Sequence, residues 1–168
     1  MLVKRITINP WPRSQRIDVV TNLYPLLRQR ASRQRRARAL VSISAGALLL
    51  LATSYIHWHL WDSLGYRHVP TIGWLFLAQS ISGLVIAFAI VFVRELWIVL
   101  IGAGFVASTL AGFLLSVSQG LFGFQDSWLA PYARTAFVVE VAAFVTLGLG
   151  ALLIYLDARA TNEVRRAN

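Results

Sequence analysis

Four uninterrupted apolar runs constrain this chain more than any other feature. They cover about residues 39–60, 71–93, 96–118 and 133–156, and each has the roughly twenty residues needed to cross a hydrocarbon layer about 30 Å thick. Water is absent there, so backbone groups must be satisfied within each run, and all four are expected to be helices. The expected fold class is all-α: an integral membrane four-helix bundle. Composition agrees, with 57% hydrophobic and only 14% charged residues, where soluble domains carry about a quarter charged. A soluble chain of this balance would expose apolar surface that it could not cover.

The net charge of +9 belongs to one end. Residues 1–38 hold ten basic residues against a single acid, Asp18, while the other 130 residues carry six of each sign. This segment reads as a basic tail held at a membrane, and no nucleic acid partner is expected. Ile17, Val20, Tyr24 and Leu27 recur at helical spacing among arginines, the pattern of an amphipathic segment lying on a membrane surface. Pro25 is expected to interrupt that helix. Arg28, Arg30, Arg33, Arg35, Arg36 and Arg38 end directly before the first apolar run, where they are expected to contact anionic lipid.

The same residues orient the chain. The basic end 159–168 adds Arg159, Arg165 and Arg166, whereas the connections after the first and third runs hold only Arg67 and Arg134. Basic residues stay inside, so both termini are expected to be cytoplasmic, flanking a bundle domain over 39–158. Arg94–Glu95 leaves room only for a tight turn, making the second and third helices antiparallel neighbours.

Gly104, Ser108, Gly112, Ser116 and Gly120 repeat every fourth residue along the third run. Small residues at that spacing let membrane helices approach closely. The expectation is contact inside the bundle, with a homo-oligomer interface as the alternative.

All three histidines fall between Ile56 and Phe76. His57 and His59 are two apart and point to nearly opposite sides of a helix, so they cannot share one ion. His59, Asp62 and His68, the last brought back by a turn at Gly65, offer a nitrogen and oxygen set suited to a divalent metal at the outer surface. The competing account is that these rings simply occupy the membrane interface. A bis-histidine haem would need a histidine on a second membrane helix, and the other three runs contain none. The chain has no cysteine, which removes disulfides, thiolate metal sites and iron–sulfur clusters. No cofactor is predicted.

Glu140 lies about seven residues into the fourth run. An acid at that depth is costly, faces a bundle interior, and is a candidate functional site. Counted inward at 1.5 Å per residue, Thr53, Gln79 and Thr109 lie at comparable depth on the other three helices. The four are expected to form one polar layer about 12 Å beneath the outer surface, either as a cavity for a small ligand, ion or proton or as hydrogen-bonded packing between helices. The connection from Gln119 to Tyr132 is rich in aromatics and glycines and reads as a compact turn. Phosphate-binding glycine loops, nucleophile elbows and zinc-helix motifs are absent, so an enzyme is not the leading expectation.

The run Ile56-His57-Trp58-His59-Leu60-Trp61, followed by Gly65-Tyr66-Arg67-His68-Val69-Pro70-Thr71-Ile72-Gly73 and later Leu121-Phe122-Gly123-Phe124, resembles a family of small four-span hypothetical membrane proteins of actinobacteria. The resemblance covers about Ala39 to Leu156. It implies a bacterial plasma membrane and supplies no activity, substrate or site. The small-residue face of the third run and the lack of catalytic constellations make a small non-enzymatic accessory or scaffold subunit the expected function, with membrane lipids and other membrane subunits or further copies of itself as partners. The alternatives are a binding or transport protein built on the Glu140 layer and a metal-dependent membrane enzyme using His59, Asp62 and His68.

Overall fold

The computed structural model describes residues 13–167, with side chains described from Gln29 onward except at Val164 and Ala167. Among the described residues there are four α-helices, one 3-10 turn and no strand: α1 (Arg13–Ser63), the short turn Tyr66–His68, α2 (Ile72–Val93), α3 (Leu96–Ser118) and α4 (Ala133–Ala167). All four α-helices are long and apolar enough to cross a membrane.

The chain forms two units, Met1–Gln34 and Arg35–Asn168. In the first, the described backbone from Arg13 onward is helical and runs through Pro25 without a break. A proline removes one backbone donor, and here the helical bonds on either side carry the helix past it. Arg30 and Arg33 are exposed in this unit. The expected amphipathic face of Ile17, Val20, Tyr24 and Leu27, and the side chain of Arg28, lie outside the described residues. Helix also extends beyond the apolar runs at both ends, since arginine, alanine and glutamine are good helix formers whatever their polarity.

The second unit is the bundle. Its core joins Leu50 and Ala47 of α1, Ala87 and Ile90 of α2, Val99 and Val106 of α3, and Ala143 and Leu147 of α4. α3 packs most extensively on α4 and also on α2. α1 meets α4 where the Ser42 hydroxyl donates to the Thr146 carbonyl at 2.7 Å, and meets α2 where the Ser80 hydroxyl donates to the Ser54 carbonyl at 2.9 Å. The exposed flanks are apolar: Leu48, Trp74, Phe92 and Val145 are all more than half exposed.

The glycines that bring helices together are not those of the four-residue repeat. A Cβ at Gly102 would sit 2.9 Å from Ile90 Cδ1, and one at Gly83 would collide with the Ser54 hydroxyl. At Gly104 and Gly112 an added Cβ meets nothing within 4 Å, Ser108 is exposed, and Gly120 lies past the end of α3 at φ 80°. Only Ser116 of the repeat is buried. The expected packing role within the bundle is thus corrected. With 3.6 residues per turn, a four-residue step advances about 40° around the axis, so the repeat winds from the outer flank at Gly104 to the interior at Ser116.

Two connections close the end of the bundle opposite the Arg94–Glu95 turn. Between α1 and α2, the Ile72 amide donates to the Pro70 carbonyl at 2.7 Å, with Thr71 at φ 64° and ψ −53°. That is a γ-turn of the rare positive-φ hand, strained for a β-branched residue. Between α3 and α4, Leu121 and Phe124 exchange both backbone hydrogen bonds across Phe122 and Gly123, each at positive φ. The second connection is the compact turn its composition suggests.

Candidate functional site

The structure brings Thr53, Gln79 and Glu140 together. Oε1 of Glu140 accepts the Thr53 hydroxyl at 2.9 Å and the Gln79 amide at 2.9 Å, joining α1, α2 and α4. Thr109 of α3 lies against the same carboxyl, and its hydroxyl also reaches the Val106 carbonyl at 2.9 Å. Glu140 is 3% exposed and Thr53 1%. All four helices therefore contribute to one polar layer at matched depth.

His57 belongs to this layer and was not among the residues expected there. Its Nδ1 lies 2.9 Å from the Thr53 carbonyl and 3.3 Å from the Thr53 hydroxyl oxygen. A carbonyl only accepts, so Nδ1 carries the ring hydrogen and Nε2 is the acceptor of the neutral ring. The ring is buried and meets the edge of Phe76 at 5.1 Å. The signal was present in the sequence: His57 follows Thr53 by one helical turn and so shares its face.

The layer opens on a cavity of about 390 Å³, within the range that holds small organic ligands. It extends from beneath the two connections down to Ser82 of α2 and Phe105 of α3, with Glu140, Gln79, Thr109 and His57 part-way along its walls. The remaining lining is mainly apolar and aromatic, including Leu60, Phe76, Phe113 and Phe137. Tyr66 roofs it, stacked on Phe76 at 4.8 Å and set edge-on to Phe124 at 5.9 Å.

No family model matches the chain, and no curated protein or solved structure is significantly similar to it. Its own residues carry the functional reading.

At the roof, Asp126 lines the cavity beside Tyr66. Burial pushes the Asp126 carboxyl above its ordinary value, opposed by the Ser127 amide that donates to it at 2.7 Å. Burial likewise raises the Tyr66 phenol, and the nearby Asp126 charge adds to that shift. The backbone amide of Asp126 donates to the Ser116 carbonyl at 3.3 Å and to its hydroxyl at 3.2 Å, pinning the connection to the end of α3.

The three metal candidates do not converge. His59 packs between Tyr55 and the edge of Tyr132. Asp62 pairs with Arg67 at 3.7 Å, and Arg67 also donates to His68 at 3.2 Å. Among the described residues no three His, Cys, Asp or Glu side chains come close enough to hold an ion. Arg67 thus lies against both Asp62 and His68, while His59 is engaged by the two tyrosine rings.

Of the arginines next to the first apolar run, Arg35, Arg36 and Arg38 are exposed in the bundle unit. Arg36 pairs with Asp157 of α4 at 2.8 Å, beside a second, shallower hollow that Arg94 also lines.

Proposed function

We propose that this protein binds a small amphiphilic molecule inside a membrane, using the cavity on which Glu140, Gln79, Thr109 and His57 open. One observation carries the reading: a buried acid whose Oε1 is already held by donors from two other helices lines a mainly apolar cavity together with a few other polar groups. Packing alone asks only that the acid be satisfied by its neighbours. A cavity with a few convergent polar groups in an apolar lining is the form of a binding site. The proposed role is binding or transfer of the ligand. The proposed setting is a bacterial plasma membrane with both termini cytoplasmic, supported by the four apolar helices, the basic residues at both ends and the resemblance to actinobacterial four-span proteins.

A native mass spectrum of the full chain released in mild detergent tests this. Bound mass beyond the bare chain is expected, and Ala136→Trp, which places an indole in the cavity, should abolish it. Bare chain for both proteins, or equal added mass on both, would overturn the reading.

A second reading keeps the accessory or scaffold role. It is favoured by the exposed small residues Gly104 and Ser108, the first of which no other described residue approaches where a Cβ would lie, and which would let a helix of another subunit approach closely.

A further inference from the structure

The way into the cavity and the chemistry of its wall specify the ligand further; this inference rests on the binding reading above. The roof is closed by aromatic rings, with Tyr66 wedged against Phe76 and Phe124. The side is not closed. α2 and α3 touch near their shared turn, where Gly102 sits against Ile90 and Ile86. Toward the connections the cavity is lined from both helices, by Leu75, Ala78 and Gln79 of α2 and by Ser108, Thr109 and Gly112 of α3. Gly112 lines the cavity with open space where a Cβ would be. Leu75 and Ala78 of α2 and Ser108 of α3 line the cavity and are themselves exposed. Exposed residues in the wall of a cavity mark a gap in it. The gap lies between two helices apolar enough to cross a membrane, flanked by the exposed side chains of Ile81 and Leu84, so what reaches it comes from hydrocarbon and not from water.

The polar layer behind the gap is rich in acceptors. The Thr53 hydroxyl hydrogen is directed at Glu140, that of Ser108 at the Phe105 carbonyl at 2.6 Å, and that of Thr109 at protein oxygens. Glu140 Oε1 holds two donors, while an ionised carboxylate has about four acceptor sites. The Gln79 amide oxygen and His57 Nε2 are acceptors as well. Apart from the second Gln79 N–H these groups accept, so a ligand head on Glu140 brings its own hydrogens. Ammonium and hydroxyl heads do so, whereas carboxylate and phosphate heads would face oxygen lone pairs in a low-dielectric site and leave charge unpaired.

We infer that the cavity takes a single-chain amphiphile with a hydrogen-bond-donating amine or hydroxyl head, admitted sideways from the bilayer between α2 and α3 to place that head on Glu140. The volume suits one aliphatic chain, and the apolar rings of Phe76, Phe113 and Phe137 suit its methylenes.

The test uses the full chain in nanodiscs of phosphatidylcholine, with radiolabelled dodecylamine as the probe and empty nanodiscs as the blank. Saturable binding near one per chain is expected, displaced by dodecanol and unaffected by the same concentration of laurate. Gly112→Trp and, on the facing helix, Ala78→Trp should each slow uptake at least tenfold. Displacement by laurate equal to that by dodecanol would overturn the donor-head assignment and leave the cavity as a binding site. Unchanged uptake in both tryptophan variants would overturn the sideways route alone. Absence of saturable binding for amine and alcohol alike, in a protein whose native mass spectrum still shows bound mass lost on Ala136→Trp, would overturn this ligand class without touching the binding reading.

Discussion

The amide nitrogen of Gln79 and Oε1 of Glu140 lie 2.9 Å apart, tying α2 to α4 in the interior of the bundle. The same oxygen receives Thr53 from α1 at 2.9 Å, so a single acceptor gathers three helices. Hydrogen bonds between membrane helices contribute modestly, about 0.6 kcal/mol on average and up to about 1.7. Gln79→Leu and Thr53→Val should each destabilise the bundle within that range. Because both donors share one oxygen, the double variant should depart from additivity. Unfolding in mixed micelles across the double-mutant cycle measures this; strictly additive losses would argue that the two bonds act separately.

The glycines divide into two groups with opposite expected behaviour. Gly102→Leu must displace Ile90 and Ile86 and should cost about 1–3 kcal/mol by overpacking. Gly104→Leu points into open space and should leave the stability of the isolated chain within about 0.5 kcal/mol. The same variant would weaken any association with another subunit through that flank. Thermal unfolding reads the first effect, and cross-linking in membranes reads the second.

Gly73 has a stricter requirement. A Cβ there would lie 2.6 Å from the Tyr66 carbonyl oxygen and 3.0 Å from the Arg67 Cα, and backbone cannot swing aside as a side chain can. Gly73→Ala should therefore push the Tyr66–His68 turn off the start of α2 and lower the melting temperature, with the roof of the cavity loosened. Gly148→Ala, where an added Cβ meets nothing, is the matched control and should be neutral or slightly stabilising, since alanine is the better helix former.

How much was legible beforehand follows from what helical geometry fixes. The depth of Thr53, Gln79, Thr109 and Glu140 could be counted from the helix ends, because rise per residue is set by the backbone. Which way each side chain turns could not be counted so simply. His57 points away from His59 and so cannot share an ion with it, and that same direction takes it into the cavity. The repeat from Gly104 to Gly120 looked like one face and winds about the axis instead. The turn at Thr71 carries no glycine to announce its positive φ, so the tight junction that roofs the cavity was invisible in the chain's composition.

Asp126 gives a pH dependence of definite sign. Burial raises its value in the folded protein, so the charged form is the less favourable one at the roof. A raised carboxyl contributes stability that is fully present below its unfolded value and lost as pH rises through the folded value. Unfolding should accordingly become easier as pH climbs from the ordinary carboxylate range through the raised value of Asp126. Asp126→Asn retains an oxygen for the Ser127 amide and should flatten that profile. A slope that survives in the Asn variant would assign it to another group.

Binding as proposed requires that Glu140 be reached from the bilayer through an open cavity. The most direct measurement is labelling of the full chain in membranes with a lipophilic carbodiimide, which modifies carboxyl groups it can reach from hydrocarbon, with the site mapped by peptide mass spectrometry. Access from the bilayer predicts modification at Glu140, suppressed by dodecanol and by Gly112→Trp. An unmodified Glu140, or labelling that neither the alcohol nor the tryptophan alters, would contradict it.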